Sequence, residues 1–347
     1  GSTSIQATPQ IVKAAEHVTV FQRTPNYSIP AWNGPQDRAE EDAVKARYPE
    51  LREKARYSLA GDVFEPGTTA IADTPLDEVH AELERRWNQG GFTFLVAFND
   101  ILTNAESNEI VAEFVRNKIR GIVKDPATAE LLCPRNFFGT KRMCVDTGYF
   151  EIYNRDNITL YDAKTDPIVE LTPTGIRTTT DEIEVDAIVF AIGFDAMTGP
   201  LFAIDIRGRD GVALKDKWAA GPRTYLGLGS HGFPNLFTIT GPQSPSVLSN
   251  MMVSIEQHVD FVSDLIAWME QSGHELIEAD LAAEDDWVEH CRELGEMTLH
   301  PQDDTWYMGA NIPGKPRVFM PYIGGVETYR RKCEELAAAG YPGFTLA

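Results

Sequence analysis

Between residues 77 and 123 apolar positions recur every three or four residues. "DEVHAELERRWNQ" and "NEIVAEFVRNKIRGIV" predict two amphipathic helices, parted by a break at Gly90–Gly91. The same period over 5–16 (IQATPQIVKAAE) predicts a helix, with Pro9 in its first turns, where a missing N–H costs least. "VTVFQR" (18–23) reads as a short strand. After Pro134 strands return, in "ITLYDA", "GIRTTT" and "IEVDAIVFAIGF". Within the last, "DAIVFAIGF" is a near-continuous apolar run and predicts a strand buried in a parallel sheet. "PNLFTITGP" (234–242) predicts a second such strand, and "VSIEQHVDFVSDLIAWMEQS" after it a strong amphipathic helix. The pattern is α/β at both ends with a helical block from about 27 to 135 between them, and it contains no internal repeat.

Composition bounds what this pattern can serve. A chain of 347 residues exceeds one ordinary core, so two or three domains are expected. With 43% hydrophobic and 24% charged residues it reads as soluble and globular. Lys and Arg number 31 against 52 Asp and Glu, a net charge of -21. That field repels polyanions, so no nucleic-acid partner is expected, although a local basic pocket for a small phosphate is compatible with it. No apolar run approaches the ~20 residues that span a bilayer, and no membrane association is expected. Cys133, Cys144, Cys291 and Cys333 lie far apart without a CxxC pair, which suits reduced thiols in a cytoplasmic protein. The seven histidines show no metal-binding spacing, so no metal site is expected and all seven are read as structural or solvated.

The opening "GSTS" followed by a helix matches the last four positions of a GxGxxG turn, with Ser4 in place of the third glycine. Such a turn presents backbone N–H groups and a helix N-terminus to a pyrophosphate. The residue that selects between NAD and NADP lies about 20 positions on, and there the chain carries Arg23-Thr24 rather than an acid. A guanidinium can grip a 2′-phosphate; a solvated arginine at a strand end is the plain alternative. "GLGSHG" (Gly227, Gly229, Gly232) fits GxGxxG fully, yet "FPNLF" follows it, a turn and strand instead of a helix, so it is read as a loop.

Six blocks together carry a resemblance: "GSTSIQ…VFQRTPNY", "GTKRMCVDTGYFEIYNRDNI", "FAIGFDAMTGPLF", "KWAAGPRTYLGL", "GFPNLFTITGPQSPSVLSNMMVSIEQHV" and "WYMGANIPGKPRVFMPYIGG". In order and along the whole chain they resemble the type I Baeyer–Villiger monooxygenases, the phenylacetone and cyclohexanone monooxygenases among them. The resemblance implies an α/β fold of two dinucleotide-binding, Rossmann-like domains with an inserted helical domain. It implies an NADP-binding domain over 1–27 and 136–188, the helical insertion over 28–135, and the C-terminal part of an FAD-binding domain over 189–347. A mobile loop is implied near 299–315. Members of the family open with an FAD-binding GxGxxG and carry a fingerprint FxGxxxHxxxW(P/D); neither occurs here, so the expectation is a chain whose first, FAD-binding half is missing.

The resemblance also implies site residues. Gly1, Ser2, Thr3, Ser4, Gln6, Arg23, Thr24, Lys141 and Trp306 would contact NADP, Trp306 from the mobile loop. Arg142 would be catalytic, stabilising a flavin peroxide anion as a fixed guanidinium in a dry site. Val247, Leu248 and Met251 would lie on the flavin and substrate side, and "AIGFD" would be the hinge strand between domains. On local sequence alone, Lys141-Arg142 also reads as a surface basic pair, Trp306 as a buried structural side chain, 244–251 as a strand–helix loop and "AIGFD" as plain sheet core. The implied reaction uses FAD, NADPH and O2 to convert a ketone to an ester or lactone through a C4a-peroxyflavin. Two other expectations stand beside it: an inert fragment with weak NADPH binding, and a related flavin monooxygenase that oxidises nitrogen or sulfur. The "NIPGKPRVFMPYIGG" block favours the ketone-oxidising branch over the latter.

Overall fold

Helix α1 (Ser2–Ala14) begins the chain in the computed structural model, which describes residues 1–347. It starts ahead of the expected Ile5, so Pro9 is mid-helix and buried, not in the first turns. The lost N–H leaves Ile5 O without its helical donor, while the Thr8 hydroxyl donates to Ser4 O at 2.7 Å and sustains the preceding turn. Strands β1 (Val18–Gln22) and β2 (Ser28–Pro30) follow, then helices α2 (Arg38–Ala46), α3 (Tyr48–Arg56), α4 (Leu76–Gln89), α5 (Ala105–Ile122) and α6 (Pro126–Leu132). Strands β3 (Cys144–Asp146), β4 (Ile158–Asp162), β5 (Ile168–Thr172), β6 (Gly175–Thr178) and β7 (Glu182–Glu184) come next. The remainder holds α7 (Gly199–Phe202), α8 (Leu214–Lys217), α9 (Met251–Ser272), β8 (Ile277–Ala279), α10 (Leu281–Glu296), α11 (Val326–Ala338) and β9 (Phe344–Leu346).

These elements divide into two compact units, residues 1–34 with 65–193 and residues 35–64 with 194–347. In the first, β1 pairs parallel with β4 in the register Val18↔Ile158 to Gln22↔Asp162, and β2 pairs parallel with β3 from Ser28↔Cys144. Parallel pairing demands a long crossover, and here the crossover carries α4 to α6. Helices α5 and α6 start at side-chain caps: Asn104 accepts from Glu106 N at 2.9 Å, and Asp125 from Thr128 N at 2.8 Å. Their buried stripes, with Val79, Leu83 and Trp87 of α4 and Val111, Val115 and Ile119 of α5, share one core with Ile5 and Val12 of α1. The expected helical block 28–135 is therefore not a separate core; residues 65–135 merge with the α/β part and 35–64 pack in the other unit. Gly90 (φ 78°) makes the expected break, where a Cβ would lie 2.5 Å from Pro30 O.

The expected strand "DAIVFAIGF" does not form. Beyond β7, which closes an antiparallel β5–β6–β7 meander, residues 186–195 form no strand. Within that stretch Ile192 and Phe194 are 88% and 84% exposed. A central strand needs neighbours to take its N–H and C=O groups, and this chain lays none beside the segment. "PNLFTITGP" is likewise not a strand. Asn235 (φ 57°) and Thr240 (φ 53°) turn its backbone, and Asn235 N and Thr238 N donate to Ile277 O and Leu228 O instead of to a sheet ladder.

In the second unit α9 runs 22 residues from its Asn250 cap to Gly273, which closes it in the left-handed conformation (φ 76°). Its Phe261, Leu265 and Met269 pack with Trp287 of α10, Tyr329 and Leu336 of α11 and Tyr322. Strands β8 and β9 pair antiparallel at one edge of this core. The 35–64 segment attaches through Tyr57, whose hydroxyl donates to Glu334 at 2.8 Å, and through an Arg52–Glu256 ion pair at 2.8 Å.

Candidate functional site

The first unit gathers most of the sequence-predicted phosphate-binding residues. Gly1 caps α1, with its carbonyl accepting from Ile5 N, and the first turn of α1 carries no acid. Helix N-termini leave N–H groups unsatisfied and carry a partial positive charge, which no acid in this first turn offsets. Ser2 Oγ lies 3.3 Å from Cys144 Sγ, and Gln6 Nε2 donates to Val145 O at 3.2 Å, so the face of α1 bearing both rests on β3. Thr3 is exposed and Ser4 half-buried. Arg23 and Thr24 follow β1 and are both exposed. Three residues after Arg23, Asn26 Nδ2 donates to Arg142 O at 3.0 Å and to Cys144 Sγ at 3.1 Å. Residues 1–6, 23–26 and 141–145 thus meet on one edge of the unit.

Arg142 is exposed there, its guanidinium carbon 5.4 Å above the ring of Phe92; Lys141 beside it is half-buried. Phe92 belongs to the turn after the Gly90–Gly91 break, and sequence reading did not single it out. An aromatic face attracts a guanidinium through the ring quadrupole and leaves its charge in place. Behind this edge Asp146 is buried. Burial pushes its carboxyl above the usual range, against the pull of the Ser28 hydroxyl at 2.5 Å and of Tyr149 N–H.

The second unit holds the remaining predicted residues. Val247 and Leu248 are half-buried in a single turn, while Met251, at the start of α9, is exposed. The residue sequence reading missed is Ser246. Its φ is 29°, a left-handed value for a non-glycine residue, and its fully buried hydroxyl has no hydrogen-bond partner. A left-handed backbone and a buried hydroxyl without a partner thus coincide in one residue. Ser249 and Ser254 satisfy each other next to it at 2.6 Å. No spacing rule marks Ser246; only backbone geometry does.

Trp306 opens a short turn (Trp306–Met308) in the predicted loop and is half-buried, its ring 4.0 Å from that of Tyr307. His258 is fully buried, and its Nδ1 accepts from Thr240 N at 2.9 Å. Burial, with the charge of Arg330, lowers its pKa to about 4, and burial does the same to His300. All four cysteines are free and buried, and burial raises the pKa of Cys333 to about 12.

The "GLGSHG" segment is a loop, as its flanking sequence implies, and its N–H groups already hold anions. His231 N donates to Glu284 Oε2 and Gly232 N to Glu278 Oε1, each at 2.7 Å. Glu284 is fully buried and also accepts from Ser230 Oγ at 3.1 Å, Lys217 at 2.8 Å and Arg223 at 3.3 Å. Burial works against the charge of Glu278, but Arg209 at 2.6 Å and the Gly232 N–H outweigh it and hold its carboxyl below the usual range.

No family profile matches the chain. It is 40% identical over 344 residues to a Baeyer-Villiger monooxygenase of Pseudooceanicola batsensis, across 98% of this chain and 63% of that protein. It is 37% identical over 349 residues to the cyclohexanone 1,2-monooxygenase of an Acinetobacter species, across 100% of this chain and 64% of that one. Among solved structures it superposes on an OTEMO complex with FAD and NADP with a TM-score of 0.96 at 38% identity, covering all of this chain and 65% of the other. The chain thus spans less than two thirds of the length of the relatives it matches.

Proposed function

We propose, from 37–40% identity over nearly the whole chain to Baeyer–Villiger monooxygenases, that the chain belongs to that family and forms the NADP-handling part and the flavin-facing C-terminal part of an enzyme converting a ketone to an ester or lactone with NADPH and O2. The supporting observation is the edge of the first unit. An α1 N-terminus free of acids, a strand-end arginine and the Lys141-Arg142 pair stand together there, in a chain whose net charge is -21. Against that background a local cationic edge suits a phosphorylated dinucleotide.

On this reading the residues divide the work. The N–H groups at Gly1, Ser2, Thr3 and Ser4 hold the pyrophosphate, with Gln6 keeping α1 against β3. Arg23, Thr24 and Lys141 bind the 2′-phosphate and so select NADP over NAD. Arg142, held over Phe92, presents a permanent positive charge where negative charge develops on oxygen. In the second unit Ser246 offers its buried hydroxyl to the flavin, which suits a polar heterocycle, and Val247, Leu248 and Met251 form the substrate side. FAD, when bound, supplies the oxygen-activating chemistry, and NADPH the reducing equivalents. Trp306 covers the nicotinamide from its loop. We assign residues 1–27 and 136–188 to an NADP-binding Rossmann-like domain, 28–135 to a helical stretch inserted in its sequence, whose 65–135 part shares the core of the first unit, and 189–347 to the FAD-binding domain. The four buried thiols suit a reducing compartment, hence the cytoplasm, and no helix is long and apolar enough to cross a membrane.

The test is Arg142→Ala in the flavin-loaded protein. NADPH oxidation is expected to continue while ester formation from cyclohexanone fails; a normal ester yield refutes the assignment. Assaying a thioether alongside the ketone separates this chemistry from sulfur oxidation.

A further inference from the structure

Lys315 is a lysine drawn out of water. Its side chain is 9% exposed, and its ammonium donates to Asp195 Oδ1 at 2.6 Å and to Ala196 O at 2.8 Å. Four residues earlier, Asn311 Nδ2 donates to Phe194 O at 3.1 Å. Two side chains of one loop therefore grip three consecutive residues more than a hundred positions earlier in the chain. Burying an ammonium is costly unless it is paired and hydrogen-bonded, so the grip is specific in geometry as well as charge.

The flanking residues are held mostly by near neighbours, although Gln243 N also donates to Met320 O at 2.6 Å. Arg317 pairs with Asp304, Met320 N donates to Tyr307 O, and Ala310 N donates to Thr305 O. The hydrogen bonds of 309–316 to sequence-distant partners are those to Phe194, Asp195 and Ala196. Gly309 (φ 72°) lies two residues before Asn311 and Gly314 (φ 78°) directly before Lys315, and a Cβ on Gly309 would meet Pro316 O at 2.7 Å. Their backbones permit a bend ahead of each gripping residue. The gripped residues continue directly from the exposed 186–193 run.

We infer that Lys315 and Asp195 form a strap that fixes the Trp306 loop to the start of the 194–347 segment, so that a displacement of residues 194–196 carries the loop with it. Lys315 is a positioning residue. It acts on Trp306 through the loop backbone, and the strap opens by returning one ammonium to water. The consequence for catalysis rests on the proposed monooxygenase reading; the strap itself does not.

Amide hydrogen exchange over 309–316 in the 347-residue chain tests it. Lys315→Met and Asp195→Asn are each expected to speed exchange there about tenfold, because local opening no longer breaks a buried charge pair. The exchanged pair, Asp195→Lys with Lys315→Asp, is expected to return exchange to within about threefold of the original. Unchanged exchange in both single variants overturns the strap, and so does an exchanged pair as fast as the singles. In the flavin-loaded protein, Lys315→Met is expected to raise the KM for NADPH about tenfold while changing kcat little. A loosened loop with an unchanged KM keeps the strap and refutes the placement of Trp306 over the cofactor.

Discussion

Removing the charge of Glu284 isolates the idea that the "GLGSHG" loop is built around the protein's own carboxylates. Glu284→Gln preserves shape but turns one oxygen into an NH2 group facing donors. The carboxylate is fully buried and accepts from His231 N, Ser230 Oγ, Lys217 and Arg223. Breaking a buried pair by altering one partner costs about 3–5 kcal/mol. Arg223 keeps Asp285 as a second partner and is 35% exposed, so the lower end, about 3 kcal/mol, applies. With a urea dependence of about 2–3 kcal/mol per molar for a unit of this size, the midpoint should fall by about 1–1.5 M. Trp218 is a built-in reporter, since its indole N–H donates to Arg223 O at 2.9 Å and lies 3.3 Å from Ser230 Oγ. Glu289→Gln on the same helix is the control: it is 53% exposed, paired with Arg292, and should leave the urea midpoint unchanged. If Glu284→Gln matched the original in urea, or if ADP protected the loop from unfolding, the carboxylates would not be its ligands and the reasoning would fail.

Arg23→Ala and Lys141→Ala should each weaken NADP+ binding about tenfold while leaving NAD+ unchanged, measured by calorimetry at fixed salt; equal losses for both nucleotides would place the two residues elsewhere. Acid should destabilise the second unit through His258 and His300. Their folded pKa values, about 4, lie below the ordinary ~6.5, so the unfolded state binds protons first. Their contribution is complete above about pH 6.5 and falls as pH drops toward 4, by up to about 3 kcal/mol per histidine. Denaturation midpoints of His300→Asn across that window should be flatter than the original's, and an equal slope would contradict the assignment. Ile192→Lys should reduce light scattering by the concentrated chain, because it breaks an exposed, uncharged apolar run; undiminished scattering would show that the run does not drive association.

Helices α4, α5 and α9 were legible because each buries one stripe at helical period, and that stripe is a local property of the sequence. The runs 186–194 and 234–242 misled for the opposite reason. Continuous apolarity shows that a segment suits burial but does not say which neighbour will pair with it. Membership of 35–64 in the second unit was invisible too, resting on contacts such as Tyr57 with Glu334 across 277 positions. The edge proposed to bind phosphate was half legible. Glycine, small residues and Arg23 announced themselves by spacing, whereas Lys141, Arg142 and Trp306 came from the resemblance. Phe92 beneath Arg142 and the strained Ser246 carry no sequence signature, because each depends on where the chain returns in space.

The interleaving of the two units has a consequence on the ribosome. Within this sequence residues 35–64 are parted from the rest of their unit, which resumes at residue 194, 130 positions after residue 64. At about 5–20 residues per second, α2 and α3 leave the ribosome roughly 7–26 s ahead of the 194–347 part of their unit. Neither helix buries a single residue fully even in the finished fold, and together they carry Arg38, Glu40, Glu41, Lys45, Glu50, Arg52 and Lys54. A segment made long before later partners such as Glu334 is thus one that water tolerates, so it adds no sticky surface to the growing chain while they are still to come.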